Sequence, residues 1–291
     1  MSSLMPARPG TLWVVATPIG NLQDLSGRAA ELLARVPVIA AEDTRVSVRL
    51  LDRQRGTVQM VALNEHSEVR QIDDLLARLA EGLDVALVSD AGTPLISDPG
   101  YRLVCAAHAA GIQVSPVPGP CAAIAALSVA GLPSDHFWFE GFLPARTSAR
   151  RRRLETLDAL PATLIFYVPA RDLVAVLDDC VATLGEDRPA ALARELTKLH
   201  ETVRHAPLAE LLAFCRADAN QARGEAVLLV GGAQHEPRAA VDPHALAREL
   251  AAELAPSRAA GMLARLTHLS RREAWALIER VREQASSPGH S

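Results

Sequence analysis

The sequence predicts an α/β fold made of two successive α/β units followed by a helical end, and three observations predict it. Short apolar runs rich in β-branched residues alternate with stretches whose apolar residues recur at helical spacing. The alternation starts afresh after Gly131-Leu132-Pro133-Ser134-Asp135. Strand signals cease after Gly231-Gly232. The expected boundaries are residues 11–133 for a first α/β domain, 134–234 for a second and 235–291 for a helical extension.

Composition narrows the class. Of the 291 residues 49% are hydrophobic but only 3% aromatic, so a core of Ala, Leu and Val is expected. The formal charge of −4 gives no global pull on nucleic acid, and an RNA partner would need local basic patches. Cys105, Cys121, Cys180 and Cys215 are scattered with no C-x-x-C pair, which argues for a reduced compartment and against a zinc or disulfide framework. Met1 to Gly10 has no apolar signal segment, and no run approaches the ~20 apolar residues that span a bilayer. The expectation is a soluble, cytoplasmic protein with no membrane partner and no metal.

Leu12 to Val15 reads as the first strand, with Ser26 as N-cap of a helix carrying Ala29, Leu32 and Leu33 on one face. Val38 to Ala41 is the second strand, followed by a short helix to about Leu51 and a strand near Val58 to Leu63. A helix from about Glu68 to Ala80 presents Ile72, Leu75, Leu76 and Leu79 as one stripe and stops at Gly82. The run Val85 to Val88 is a buried strand. Asp98 and Pro99 read as N-cap and first residue of the next helix, which runs to about His108. A strand at Ile112 to Val114 and a small-residue helix from Ala122 to Ala130 complete a mainly parallel unit. The second unit has strands at Phe137–Glu140, Thr163–Tyr167, Ala190–Arg194 and Ala226–Val230, with helices at about Asp172–Leu184 and Leu208–Arg216. In the extension, Val241 to Leu254 reads as a helix, and Ser270-Arg271-Arg272-Glu273 is a capping box opening a last one.

Several strands end in loops unlike plain connectors. Asp90, followed by Ala91-Gly92-Thr93-Pro94, either binds hydroxyls or an amino group of a small ligand or serves as a turn residue; the following glycine favours the ligand. Val117-Pro118-Gly119-Pro120 is either a facing wall or a rigid connector. Thr17-Pro18-Ile19-Gly20 is not G-x-G-x-x-G, and no Walker lysine follows any glycine loop, so ordinary dinucleotide and P-loop binding are disfavoured. Glu42-Asp43-Thr44-Arg45 offers a general base or a substrate clamp, or merely a helix-start charge pattern. His66 is a lone loop histidine, either a base or merely a solvated residue. Lys198 is the only lysine beside 29 arginines, which hints at a specific role for a compact ammonium. Arg146, Arg150, Arg151, Arg152 and Arg153 make phosphate contact credible, and Arg271 and Arg272 belong to an arginine-rich tail.

Taken together, Thr17-Pro18-Ile19-Gly20-Asn21-Leu22, Ala41-Glu42-Asp43-Thr44-Arg45, Ser89 to Gly100, Val117 to Cys121 and Ala193 to Lys198 resemble the small-subunit ribosomal RNA methyltransferase I family. Gly131 to Asp135 and Glu140-Gly141-Phe142-Leu143-Pro144 share the resemblance, which covers about Leu12 to Val281. It implies two α/β domains of the tetrapyrrole methylase type with a cleft between them, a homodimer, and 2′-O-methylation of a cytidine ribose in the decoding region of 16S rRNA, within the 30S subunit. S-adenosyl-L-methionine would touch Pro18; Asp90, Gly92, Thr93, Pro94 and Ile96; Pro118, Gly119, Pro120, Cys121 and Ala122; and Phe166, Tyr167 and Ala193. Asp43, Glu42 and Lys198 are the candidates for substrate alignment or proton removal, and Arg45 joins the arginine clusters as an RNA contact. The chain departs from the family at Val168-Pro169-Ala170-Arg171-Asp172, where Glu-Ser-Pro-His-Arg is usual, and at Asn64, where histidine is common. Two other readings compete: a non-catalytic RNA-binding or ribosome-assembly module with a cofactor-type cleft, and a methyltransferase acting on a small tetrapyrrole.

Overall fold

Five short apolar runs form one all-parallel sheet in the computed structural model, which describes residues 8–48, 58–63, 68–233, 242–267 and 269–286. The strands are β1 (Thr11–Val15), β2 (Val38–Ala41), β3 (Gln59–Ala62), β4 (Val85–Val88) and β5 (Gln113–Val117), in the order β3-β2-β4-β1-β5. Period-2 alternation sorts their side chains. Leu12, Val38, Ala40, Val85 and Leu87 pack on α3 (Glu68–Ala80) and α4 (Tyr101–Ala109) through Leu75, Leu79, Leu103 and Ala107. The alternate residues Val15, Ile39, Ala41, Ala86 and Val88 pack on α1 (Gly27–Arg35) through Ala29, Leu32 and Leu33. Ser26 caps α1, its side chain accepting the Ala29 N–H.

The second sheet has the order β6-β7-β10-β8-β9. Its strands are β6 (Phe137–Phe142), β7 (Thr163–Pro169), β8 (Pro189–Arg194), β9 (Thr202–Pro207) and β10 (Glu225–Val230). Only β6 and β7 run parallel; the other three pairings are antiparallel. One face packs Leu164, Phe166, Val168, Leu192 and Leu228 against α6 (Thr147–Leu157), α7 (Leu173–Leu184) and α8 (Leu208–Ala217). On the other face Ile165, Ala191, Ala193, Val227 and Leu229 meet Ala123, Ala126 and Leu127 of α5 (Ala122–Val129), the helix that leaves β5. That helix joins the two sheets into one compact unit ending at Ala233.

Residues 234–291 form a second unit. Here α9 (Pro243–Glu253), α10 (Pro256–Leu266) and α11 (Arg271–Ser286) bury Ala247, Ala259, Leu263, Ala274 and Ile278 among themselves. The expected capping box forms: the Ser270 N–H donates to the Glu273 carboxylate at 2.8 Å, and the Glu273 N–H donates to the Ser270 hydroxyl at 3.3 Å. No described helix is long and apolar enough to cross a membrane.

Four expectations need correction or extension. Asp98 does not cap α4; Gly100, at φ 120°, occupies that position without a side-chain bond, and Asp98 turns toward Ser89 instead. The strand expected to end at Val114 continues to Val117. Strand β9 and helix α10 were not anticipated, and the arginine-rich stretch is the helix α6. The helix after Asp43 is described only as α2 (Thr44–Ser47); its expected end at Leu51, together with Asn64 and His66, lies outside the described residues.

Candidate active site

A parallel sheet delivers the carboxyl ends of all its strands to one edge, where open α/β folds bind ligands. The loops that leave β1, β2, β4 and β5 there are bonded into one wall. Thr17 and Gly92 exchange backbone bonds, Thr17 N–H to Gly92 O at 2.8 Å and Gly92 N–H to Thr17 O at 3.0 Å. The Thr17 hydroxyl donates to the Ser89 carbonyl at 3.2 Å, the Thr93 hydroxyl to the Pro120 carbonyl at 2.9 Å, and the Asp43 N–H to Asp90 Oδ1 at 3.1 Å. Gly92, at φ 84°, has the Ile19 side chain 3.3 Å from where a Cβ would stand, so this crossing of loops requires glycine.

The second sheet supplies the facing wall from the end of β7, the Glu195–Lys198 loop after β8 and the start of β10. Between the walls lies a cleft of about 510 Å³, the size of a small-molecule site. At its rim the first wall touches the second: a Cβ on Gly20 would stand 2.5 Å from Lys198 Cγ and 2.9 Å from Thr197 Oγ1.

Of the residues expected to form a site, the cleft gathers Glu42, Asp90, Gly92, Thr93, Ile96, Ala122, Tyr167, Ala193 and Lys198. Pro18, Pro94, Pro118, Gly119, Pro120 and Cys121 belong to the same loops but do not line it, nor do Asp43 and Arg45. Phe166 is a correction. It is fully buried in the core on the α6–α8 side of the sheet, because strand alternation that turns Tyr167 into the cleft turns its neighbour away.

The first wall is acidic. Burial raises the Glu42 carboxyl above the ordinary carboxylate range, and the nearby charges of Asp98 and Asp90 add to it. Burial likewise raises Asp90 and Asp98, the latter opposed by a bond from Ser89. Asp43 behaves differently: the Arg45 guanidinium, at 2.6 Å, and the Arg45 N–H hold its carboxyl down at about 2. On the second wall the Lys198 ammonium bonds Glu195 Oε1 and Glu225 Oε2, each at 2.9 Å. Burial alone would lower Lys198, but those two carboxylates outweigh it and raise its pKa. A protonated, doubly bonded ammonium is a poor base.

The arginine cluster divides. Arg150 is a second correction: its side chain is 6% exposed and its guanidinium bonds the buried Asp179 at 2.6 Å, so it is spent inside the fold. Arg151 shares Asp179, and Arg153 bonds Glu140. Arg146, Arg152, Arg271 and Arg272 are exposed.

Several lining residues escaped sequence reasoning, notably Asp98, Phe142, Arg171, Glu195 and Glu225. Asp98 carried a signal, but its position before proline read as a helix cap. Backbone conformation marks the site as well. Among the described residues the non-glycine residues with positive φ are Leu95, Ser97, Glu195 and Thr197, one pair in each wall's loop. Strain of this kind collects at functional sites.

The two-sheet architecture with its cleft matches a known class. Residues 11–212 fit the family described as Tetrapyrrole (Corrin/Porphyrin) Methylases. Solved structures of this fold include the methyltransferase CobJ, 22% identical at a TM-score of 0.58 over 77% of this chain and 95% of that one. Another is uroporphyrin-III C-methyl transferase from Thermus thermophilus complexed with S-adenyl homocysteine, 20% identical at a TM-score of 0.52 over 76% and 97%. Curated relatives narrow the class. The Ribosomal RNA small subunit methyltransferase I of Escherichia coli O157:H7 is 52% identical over 88% of this chain and 90% of its own. That of Pseudomonas aeruginosa is 51% identical over 89% and 93%. The chain belongs to the tetrapyrrole methylase family and, within it, to the ribosomal RNA small subunit methyltransferase I group.

Proposed function

We propose that the protein transfers a methyl group from S-adenosyl-L-methionine to the ribose 2′-oxygen of a cytidine in the decoding region of 16S rRNA, acting in the cytoplasm on the 30S subunit. The observation that carries the reading is Glu42, a carboxylate of raised proton affinity in a cofactor-sized cleft, in a chain half identical to named small-subunit rRNA methyltransferases.

The chemistry of the cleft fits this cofactor. Its sulfonium and ammonium are cationic, and the first wall offers the carboxylates of Asp90, Asp98 and Glu42. Asp90, Gly92, Thr93, Ile96, Ala122, Tyr167 and Ala193 would hold it, with Pro18, Pro94, Pro118, Gly119, Pro120 and Cys121 shaping the loops behind them. When bound, S-adenosyl-L-methionine supplies an electrophilic methyl carbon. Glu42 then takes the proton released from the 2′-hydroxyl, because a carboxyl raised by burial is a better match for that work than an ordinary one. Asp43, neutralised by Arg45, is a positioning residue whose N–H holds Asp90. Lys198 positions the second wall. Arg146, Arg152, Arg271 and Arg272 are exposed cations suited to RNA phosphates, and Arg45, exposed but paired with Asp43, would meet RNA only as part of that pair. Exposed Phe137 and Trp138 on the edge strand β6 support a homodimer.

Labelled-cofactor transfer to purified 30S subunits, free 16S rRNA and a porphyrinoid acceptor tests the proposal. Label on the 2′-oxygen of one cytidine in the 30S subunit is the expected result. Label on the porphyrinoid alone overturns it. So does calorimetry in which the cofactor gives no heat, the behaviour of a non-catalytic RNA binder.

A further inference from the structure

Phe142 closes the cleft on the second-sheet side and has no part in the chemistry described above. It ends the edge strand β6, whose register against β7 shifts between Phe139 and Gly141. Gly141, at φ 73°, makes that bulge, and a Cβ there would stand 2.9 Å from Ser97 Oγ. The strand end is thus pressed against the first wall's strained loop, and Phe142 emerges at the junction of both walls. Its ring meets Tyr167 edge to face, with centroids 5.6 Å apart and planes at 64°. Phe139 meets the same Tyr167 ring at 5.0 Å and 72°. Tyr167 is fixed in turn by its hydroxyl, which accepts the Ala123 N–H at 3.3 Å. The result is a clamped aromatic stack whose last member is held on one side and remains 58% exposed on the other.

An apolar ring left in water at the mouth of the cleft can take a partner with a π-face. We infer that Phe142 is the stacking platform for the nucleobase of the nucleotide whose ribose enters the cleft, an inference that rests on the RNA methyltransferase reading. A base must leave its own stack before its ribose can reach a buried site, and proteins compensate that loss by stacking the base on an aromatic side chain. Phe suits the purpose because its ring loses little conformational entropy on contact. Arg171, another lining residue, has its side chain 82% exposed and lies 3.6 Å from Asp172, so a cation stands at the same mouth for the adjoining phosphate. The ligand class is an unstacked base of single-stranded or flipped-out RNA, read by its face.

The test compares Phe142→Ala, Phe142→Leu and Phe142→Tyr in methyl transfer to 30S subunits, with cofactor affinity measured separately by calorimetry. The stacking role expects kcat/KM for 30S to fall about 10- to 100-fold in Phe142→Ala. Phe142→Leu should be impaired nearly as much, Phe142→Tyr should recover to within about 3-fold, and cofactor affinity should stay within about 2-fold in all three. Three results overturn it: an unchanged kcat/KM in Phe142→Ala, full activity in Phe142→Leu, or a loss of cofactor affinity that accounts for the whole effect. Failure of the underlying reading looks different, because the unmodified protein would then not label 30S subunits at all.

Discussion

The two walls of the cleft carry the same backbone strain and hold it by different means. On the first wall, Leu95 and Ser97 adopt positive φ in a loop anchored by main-chain and hydroxyl bonds: the Thr17–Gly92 pair and the Thr93 bond to Pro120. On the second wall, Glu195 and Thr197 adopt positive φ in a loop anchored by charge, with Lys198 bridging Glu195 and Glu225 and the Glu201 carboxylate accepting the Thr197 N–H at 2.6 Å. Uncharged anchors neither titrate nor respond strongly to salt, whereas an ion-pair clamp does both. The first wall also carries the half-buried carboxylates of Glu42, Asp90 and Asp98. The raised carboxyls and the ion-pair clamp therefore lie on opposite sides.

The largest expected effect concerns the chemistry. Glu42→Gln should lower kcat by about 10²- to 10⁴-fold in labelled transfer to 30S subunits, with cofactor affinity retained. Its thermal stability should not fall, since a carboxylate raised by burial is itself costly to bury. A Glu42→Gln enzyme of normal kcat would dissolve the division of labour. Next comes contact between the walls. Gly20→Ala adds a methyl group 2.5 Å from Lys198 Cγ, and overpacking of about 1–3 kcal/mol should appear as weaker cofactor binding in calorimetry.

Lys198→Met takes the cation from the half-buried Glu195 and leaves it the Glu225 N–H alone, at a cost of about 1–3 kcal/mol, so cofactor affinity should drop about 10-fold. The pH–kcat profile should keep its shape; a lost or shifted limb would make Lys198 a base after all. On the first wall, Thr93→Val removes one hydroxyl bond and should cost only about 0.5–1.5 kcal/mol in a denaturant melt.

A pH scan sharpens the contrast with the smallest effect. Burial raises the Glu195 carboxyl, but Lys198 and the Glu225 N–H outweigh it and bring it below its ordinary 4.5. Its stabilisation is therefore complete above 4.5 and lost as pH falls through the lowered value. The raised Lys198 contributes fully below 10.5 and is lost as pH rises through its elevated value. The ionic clamp thus spans the range between. Glu42 sets a separate limit: kcat should fall with decreasing pH through a value above 4.5, while the fold is still intact by near-UV circular dichroism.

What the sequence disclosed follows from how each element is stabilised. The strands β2 and β4 were readable because every residue in them is buried and apolar. Strand β9, Thr-Val-Arg-His-Ala-Pro, lies at a sheet edge with Val203, Arg204 and His205 exposed, so it lacks that signature. The first wall was largely visible, since glycine, proline and acids at strand ends have few uses. The second wall was less so. Phe166 and Tyr167 are adjacent in sequence and opposite in space, and only the packing of the sheet tells which one lines the cleft. Arg150 and Arg152 are likewise indistinguishable until Asp179 is found across from one of them.

The order of strands in the second sheet has a consequence for how the protein is made. Strand β10, the last strand among the described residues, occupies the middle of that sheet, between β7 and β8. As the chain leaves the ribosome from its N-terminus, β6 with β7 and β8 with β9 must wait as two separate pairs with open edges. They join only when Val230 has emerged. Glu225, which completes the grip on Lys198, arrives in that same final strand. A chain ending just before it has four of the five strands of that sheet but lacks the one that joins the two pairs. The second wall of the cleft is therefore complete only once β10, with Glu225, Ala226 and Val227, has been made.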